Sequence, residues 1–195
     1  MPATKQIAQL RYASNDDFER IFDEEMNSLY LLSFLLTADQ ALAEKCFVSG
    51  LEDAKKGNPV FKEWARSWAE RMIIQNAVRA VNPRPGDANV ESHAVSADRD
   101  TLPAHHRVFA AILDLDTFAR FVYATTVLER YSDQDCSVLM GCARRDVVSA
   151  RVRALQQIGT VAPPNRDAGP EKTRLSDLTN SAIGWLITPP LATSA

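Results

Sequence analysis

The sequence predicts an all-α protein built as two helical domains joined by a flexible linker. Three observations lead there. Apolar residues recur at three- and four-residue steps in both halves of the 195-residue chain, and no stretch alternates apolar and polar residues as a half-buried strand does. Leucine, alanine, arginine and glutamate are abundant and glycines number only seven, a helix-prone composition. Between the halves runs a polar, proline-containing stretch without period.

The elements follow in order. Ser14 or Asn15 is predicted to cap a helix with an acidic first turn, which suits the positive end of the helix dipole. Phe18, Ile21, Phe22, Met26, Leu29, Leu32, Leu35 and Leu36 continue it as one long helix, nearly all apolar at LYLLSFLL. Thr37 or Asp39 restarts a second helix through ALAEKCFVSGLEDAKK, which Gly57 breaks. Asn58 as cap and Pro59 at the first helical position then open a third helix. It carries Phe61, Trp64, Trp68, Met72 and Ile73 until NPRP stops it at Asn82. Trp64 and Trp68, four apart, share a face, and their size favours a place in the core.

Residues 15–81 thus form the first domain and 82–102 the linker. The second domain, 103–159, opens with AHHRVFAAIL and a longer helix through LDTFARFVYATTVLERY. Residues 160–195 form a proline-containing linker and an amphipathic tail helix. Its stripe of Leu175, Leu178, Ala182, Ile183 and Leu186 is expected to dock on the protein.

The segment SDQDCSVLMGCARRDVVSARVRAL predicts a helix-turn-helix. Ser132, three residues before Asp135, forms a capping-box pattern; Gly141 sits where a left-handed residue ends a helix; a second helix starts near Arg144. At 100° per residue, Val147, Val148, Val152, Leu155 and Ile158 fall on one broad apolar arc. Arg145, Ser149, Arg153 and Gln156 fall opposite, the mixture of cations and short polar groups that a duplex groove accepts. Arg144 lies at the turn, within reach of a phosphate backbone, and Arg151 falls awkwardly within the apolar arc.

Charge is segregated. The net charge of −3 gives no general affinity for nucleic acid, so any such affinity must be local. Asp16, Asp17, Glu19, Asp23, Glu24 and Glu25 face only Arg20, whereas Arg144, Arg145, Arg151 and Arg153 face only Asp146. No segment reaches the roughly 18 apolar residues of a membrane span, and the opening stretch has no signal-peptide pattern, so a cytoplasmic protein is expected. Cys46, Cys136 and Cys142 have no metal-binding spacing, and His93, His105 and His106 have no partners at ligand spacing, so no metal or other cofactor is expected. No nucleophile, base and orienting residue cluster in a recognisable pattern, which argues against an enzyme.

These stretches resemble the sigma-70 family of transcription initiation factors, the small two-domain extracytoplasmic-function type in particular. Leu115, Arg120, Val122 and Tyr123, then Ser132, Leu139, Met140 and Gly141, then the helix register through Val147, are similar to the family's fourth region. LYLLSFLLTADQALAEKCF and FKEWARSWAERMIIQNAVR, with Phe61, Trp64, Ala69, Ile74 and Arg79 matching, are similar to its second region. Together they cover about residues 18–158. Some contact residues depart from the pattern: of the acidic clasp for polymerase only Glu44 remains, beside Lys45, Val48 and Ser49, and Glu70-Arg71 replaces an Arg-Asn pair. Two frequent basic positions of the recognition helix are Val148 and Ala150.

The resemblance implies an adaptor between RNA polymerase core and promoter DNA. The helix-turn-helix would read the minus-thirty-five element through Arg144, Arg145, Ser149 and Arg153. The first domain would meet the minus-ten element through Arg66, Arg71, Asn76 and Arg79, and polymerase through Glu44, Lys45, Val48 and Ser49. The alternative is a sigma-like module that no longer reads promoters and binds polymerase or an anti-sigma-like protein.

Overall fold

A computed structural model describes residues 11–86, 104–161 and residue 178. The protein is mostly helical, with eight α-helices and no strand among the described residues. The chain divides into two compact units, Met1–Asn82 and Pro83–Ala195. The expected linker beyond Gly86 and the expected tail helix lie outside the described residues, except that Leu178 is buried.

The first unit holds α1 (Asn15–Glu24), α2 (Met26–Thr37), α3 (Gln40–Lys56) and α4 (Ala65–Val81). Ser14 caps α1: its hydroxyl accepts from the Asp17 N–H while the Asp17 carboxylate accepts from the Ser14 N–H, a reciprocal box. The single long helix expected from residue 15 to 36 is two helices, because Glu25 leaves helical geometry at φ −109°, ψ 18°. The break lets amphipathic α1 bury Phe18 and Phe22 while apolar α2 buries Leu29, Leu31, Leu32, Leu35 and Leu36. Asp39, not Thr37, caps α3, accepting from the Leu42 N–H at 2.7 Å.

Small residues set the contact between α3 and α4. Ala43, Cys46, Gly50 and Ala54 form the buried seam of α3, and Ala65, Ala69, Ile73 and Ala77 are buried on α4. The helices approach so closely at Gly50 that an added Cβ would stand 2.7 Å from Cγ1 of buried Ile73. The expected third helix starts six residues late. Asn58–Phe61 is non-helical because Ala13 N–H donates to Val60 O at 2.7 Å and Tyr12 bridges Phe61 in antiparallel fashion. A short 3-10 turn, Lys62–Trp64, then leads into α4, which Asn82 ends in the left-handed region at φ 51°.

The second unit holds α5 (Ala104–Leu113), α6 (Thr117–Tyr123), α7 (Asp133–Met140) and α8 (Arg144–Val161). Every residue of α6 from Phe118 to Tyr123 is buried, so it is the central helix, and α8 packs against both α5 and α6. The longer helix expected here is interrupted: α6 passes into a π-helical turn, Ala124–Leu128, and the chain leaves it with Arg130 at φ 57°. Two threonines serve that turn. Thr125 Oγ1 donates to Phe121 O and contacts Cys136 Sγ at 3.1 Å, and Thr126 Oγ1 donates to Val122 O. Burial pushes the Cys136 thiol up to about 11, so it packs as a neutral side chain.

Arg120 is a buried cation of this unit. Its guanidinium donates to Leu113 O at 3.3 Å and Leu115 O at 3.4 Å, where α5 ends and the helix dipole is negative. Burial lowers its pKa, and nearby Asp116 opposes that shift. Among the described residues no helix is long and apolar enough to cross a membrane, and no group of histidine, cysteine and carboxylate side chains could hold a metal ion.

Candidate nucleic-acid interface

The segment expected to be a helix-turn-helix folds as α7, a three-residue turn and α8. Ser132 caps α7, accepting from the Asp135 N–H at 3.1 Å and donating to its carboxylate at 2.6 Å. Gly141 ends it in the left-handed region at φ 62°, a conformation that any Cβ would strain. Cys142 N–H then reaches back to Ser137 O at 3.0 Å, which closes the turn and starts α8 at Arg144. A clamp fixes the two helices: Arg151 donates to the Asp133 carboxylate at 3.2 Å, with both side chains largely shielded. This resolves the awkward position of Arg151, which joins α8 to the first turn of α7.

The apolar arc expected for α8 needs correction. Val147, Ala150, Ala154 and Ile158 are the fully buried residues, and Val152 is 46% exposed. Counting 100° per residue, Val152 stands about 140° from Val147, whereas Ala150 and Ala154 stand within about 60° of it. Side-chain size drew the expected arc too far round; small alanines take the core positions because α6 lies close.

Arg144, Arg145, Ser149, Arg153 and Gln156 are exposed. The Arg145 side chain is 89% exposed, and among the described residues its only carboxylate neighbour is Asp146 at 3.7 Å. Arg144 and Arg153 form no ion pair among the described residues. The side of α8 opposite the core therefore carries cations whose charge is not consumed among the described residues.

The first-unit residues stand differently. Arg66 pairs with Glu25 at 2.9 Å and Glu70 at 3.2 Å. Arg79 and Asn76 both donate to the Asp53 carboxylate at 3.0 Å, and Asn76 also donates to Met72 O. These contacts tie α4 to α3 and to the helix break at Glu25, so the charges of Arg66 and Arg79 are paired although both side chains stay more than half exposed, at 59% and 62%. Arg71 is half-buried and forms no ion pair among the described residues. The acidic first helix is answered in the same way: Lys62 pairs with Asp17 at 3.1 Å and Lys55 with Glu19. The Asp17 carboxyl is held down to about 2, first by the Ser14 N–H and also by Lys62.

Two surface features of the first unit remain. Trp64 is 59% exposed, not in the core as its size suggested, and packs edge-on against Phe61, which stacks on Tyr12 at 4.8 Å. Trp68 is half-buried over Gly57. On α3, Glu44, Lys45, Val48 and Ser49 share the outward side, and Val48 is 55% exposed among polar neighbours.

Sequence reasoning missed the Asp133–Arg151 clamp and the buried role of Arg120. The first had a usable signal, a cation on an apolar arc with a carboxylate in the preceding helix; the second had none before the end of α5 was placed. No known family model, no characterised protein and no solved structure matches this chain.

Proposed function

We propose that the protein is a DNA-binding transcription initiation factor of sigma type, an adaptor that brings RNA polymerase core to promoters. One observation carries this reading: the second helix of a helix-turn-helix turns Arg145, Ser149 and Arg153 to solvent, with no strong partner for the charge among the described residues. An α-helix with side chains is about 10–12 Å across, which fits a major groove about 12 Å wide. The cations supply phosphate contacts, and the short Ser149 allows close approach to base edges. In the first unit exposed Trp64 offers a stacking face for an unpaired base, a sequence-tolerant contact suited to a melted strand. No bond is made or broken by the protein itself; its action is positioning.

Reconstituted transcription with polymerase core and a promoter library tests this. The wild type is expected to initiate from a subset of templates, and Arg145→Glu/Arg153→Glu to abolish that initiation while the variant stays folded. Unchanged initiation by the variant overturns the reading.

A second reading has its own observation, the exposed Val48 within the Glu44, Lys45 and Ser49 side of α3. An apolar residue ringed by polar ones suits a protein partner, either polymerase core or an anti-sigma-like protein. Core binding that survives Arg145→Glu/Arg153→Glu without promoter-dependent initiation favours this module. Val48→Asp, on the opposite unit from the arginines, then removes core binding.

A further inference from the structure

Val152 is left over by the packing of α8. It lies 46% exposed at the edge of the outward side, about 20° from Arg145 and 60° from Ser149 in angle, while alanines fill the core positions of the helix. A valine at the edge of a solvated cationic side that leaves about half its surface to water contributes little to the free protein, and its β-branch is mildly unfavourable in a helix. The position invites a search for an external apolar partner.

We infer that Val152 determines sequence specificity by seating against the C5-methyl group of a thymine in the major groove, an assignment that rests on the DNA-binding reading above. Arg145 and Arg153 are eight residues apart, about 12 Å along the axis, and bracket the centre of the exposed side. Long arginines at the margins reach phosphates; the short side chains of Ser149 and Val152, one turn apart and between them along the axis, come nearest the base edges. Of the groups displayed in the major groove, only the thymine methyl is apolar. Against a guanine or adenine edge, Val152 would strip water from acceptors and return no hydrogen bond, a penalty that disfavours those bases. The valine therefore both favours thymine and rejects its competitors, and charge complementarity at the two margins holds it in place.

The test uses the full chain and a randomised duplex pool. Duplexes retained by the wild type are rebuilt with deoxyuridine replacing each thymine in turn, which removes a methyl group and leaves base pairing intact. One replacement is expected to weaken binding about fourfold, the worth of one buried methyl group. Val152→Ala, a change at an exposed helical site, is expected to lose that sensitivity at the same position and keep its binding to unselected duplex.

Each outcome decides something. A wild type indifferent to every thymine methyl, or a Val152→Ala variant with the wild-type methyl dependence, overturns the inference. If that happens while Arg145→Glu/Arg153→Glu still abolishes duplex retention, the face binds backbone alone and the DNA-binding reading stands. If the charge reversals retain duplex as well as the wild type does, that reading falls and the inference falls with it. The same pair of results would leave Val152 as a contact for a protein partner.

Discussion

In the first unit, Lys55, Lys62 and Arg66 meet the carboxylates of Glu19, Asp17 and Glu25; in the second, Arg144 and Arg153 meet none among the described residues. The comparison extends across both units. Arg79 is tied to Asp53, Arg20 to Asp17 and Lys56 to Glu52. In the second unit Arg120 is sealed against backbone carbonyls and Arg151 clamps two helices, yet the outward side of α8 keeps its charge open among the described residues. A cation in a sequence therefore says little until its neighbours in space are known. The acidic run at residues 16–25 is partly neutralised by α3 and the start of α4, so the charge segregation of the chain is weaker in space than on paper. It persists on one side of one helix, and that persistence is what makes the site stand out from its surroundings.

Removing cations or their partners class by class sharpens this contrast. Arg120→Ala has the largest expected effect on stability, about 2–4 kcal/mol, since it opens a buried space and strips donors from the carbonyls that end α5. Thermal unfolding of the full chain reads it, and a loss under 0.5 kcal/mol contradicts the buried role. Asp53→Ala comes next. It leaves Asn76 and Arg79 without their shared acceptor, and the expected loss is about 1–2 kcal/mol.

The smallest effect is that of Asp17, and it depends on pH. The folded carboxyl is held at about 2, below the ordinary value near 3.9, so the group stabilises the fold above about pH 4 and loses that contribution as pH falls through 2. The difference in unfolding midpoint between wild type and Asp17→Asn is expected to shrink steadily between pH 4 and pH 2. A constant difference across that interval contradicts the assignment.

Legibility in the sequence followed locality. Caps at Ser14, Asp39 and Ser132, the turn at Gly141 and the end of α4 at Asn82 depend on a few nearby residues and were legible, Ser14 and Asp39 each as one of two candidates. Features set by distant chain were not legible. The late start of α4 comes from residues 12–13 pairing with residues 60–61, and the break at Glu25 comes from two helices needing different burial directions. Within the site, angle predicted the exposure of Arg145, Ser149 and Arg153 correctly, whereas size misplaced Val152 and Trp64. Large apolar side chains attract a core assignment, yet the close helix contacts here are made by alanine and glycine.

The salt dependence of duplex binding tests the central claim most directly. Each phosphate contact on B-form DNA contributes about 0.9 to the slope of log affinity against log salt. Arg145→Glu/Arg153→Glu is expected to lower that slope by about 1.8 or more, while its unfolding free energy stays within about 0.5 kcal/mol of wild type. Arg66→Ala/Arg79→Ala, which removes paired cations of the first unit, is expected to leave the slope unchanged. A flat response in the wild type, or an equal fall in both variants, would contradict the claim that the open charge on α8 is what meets DNA.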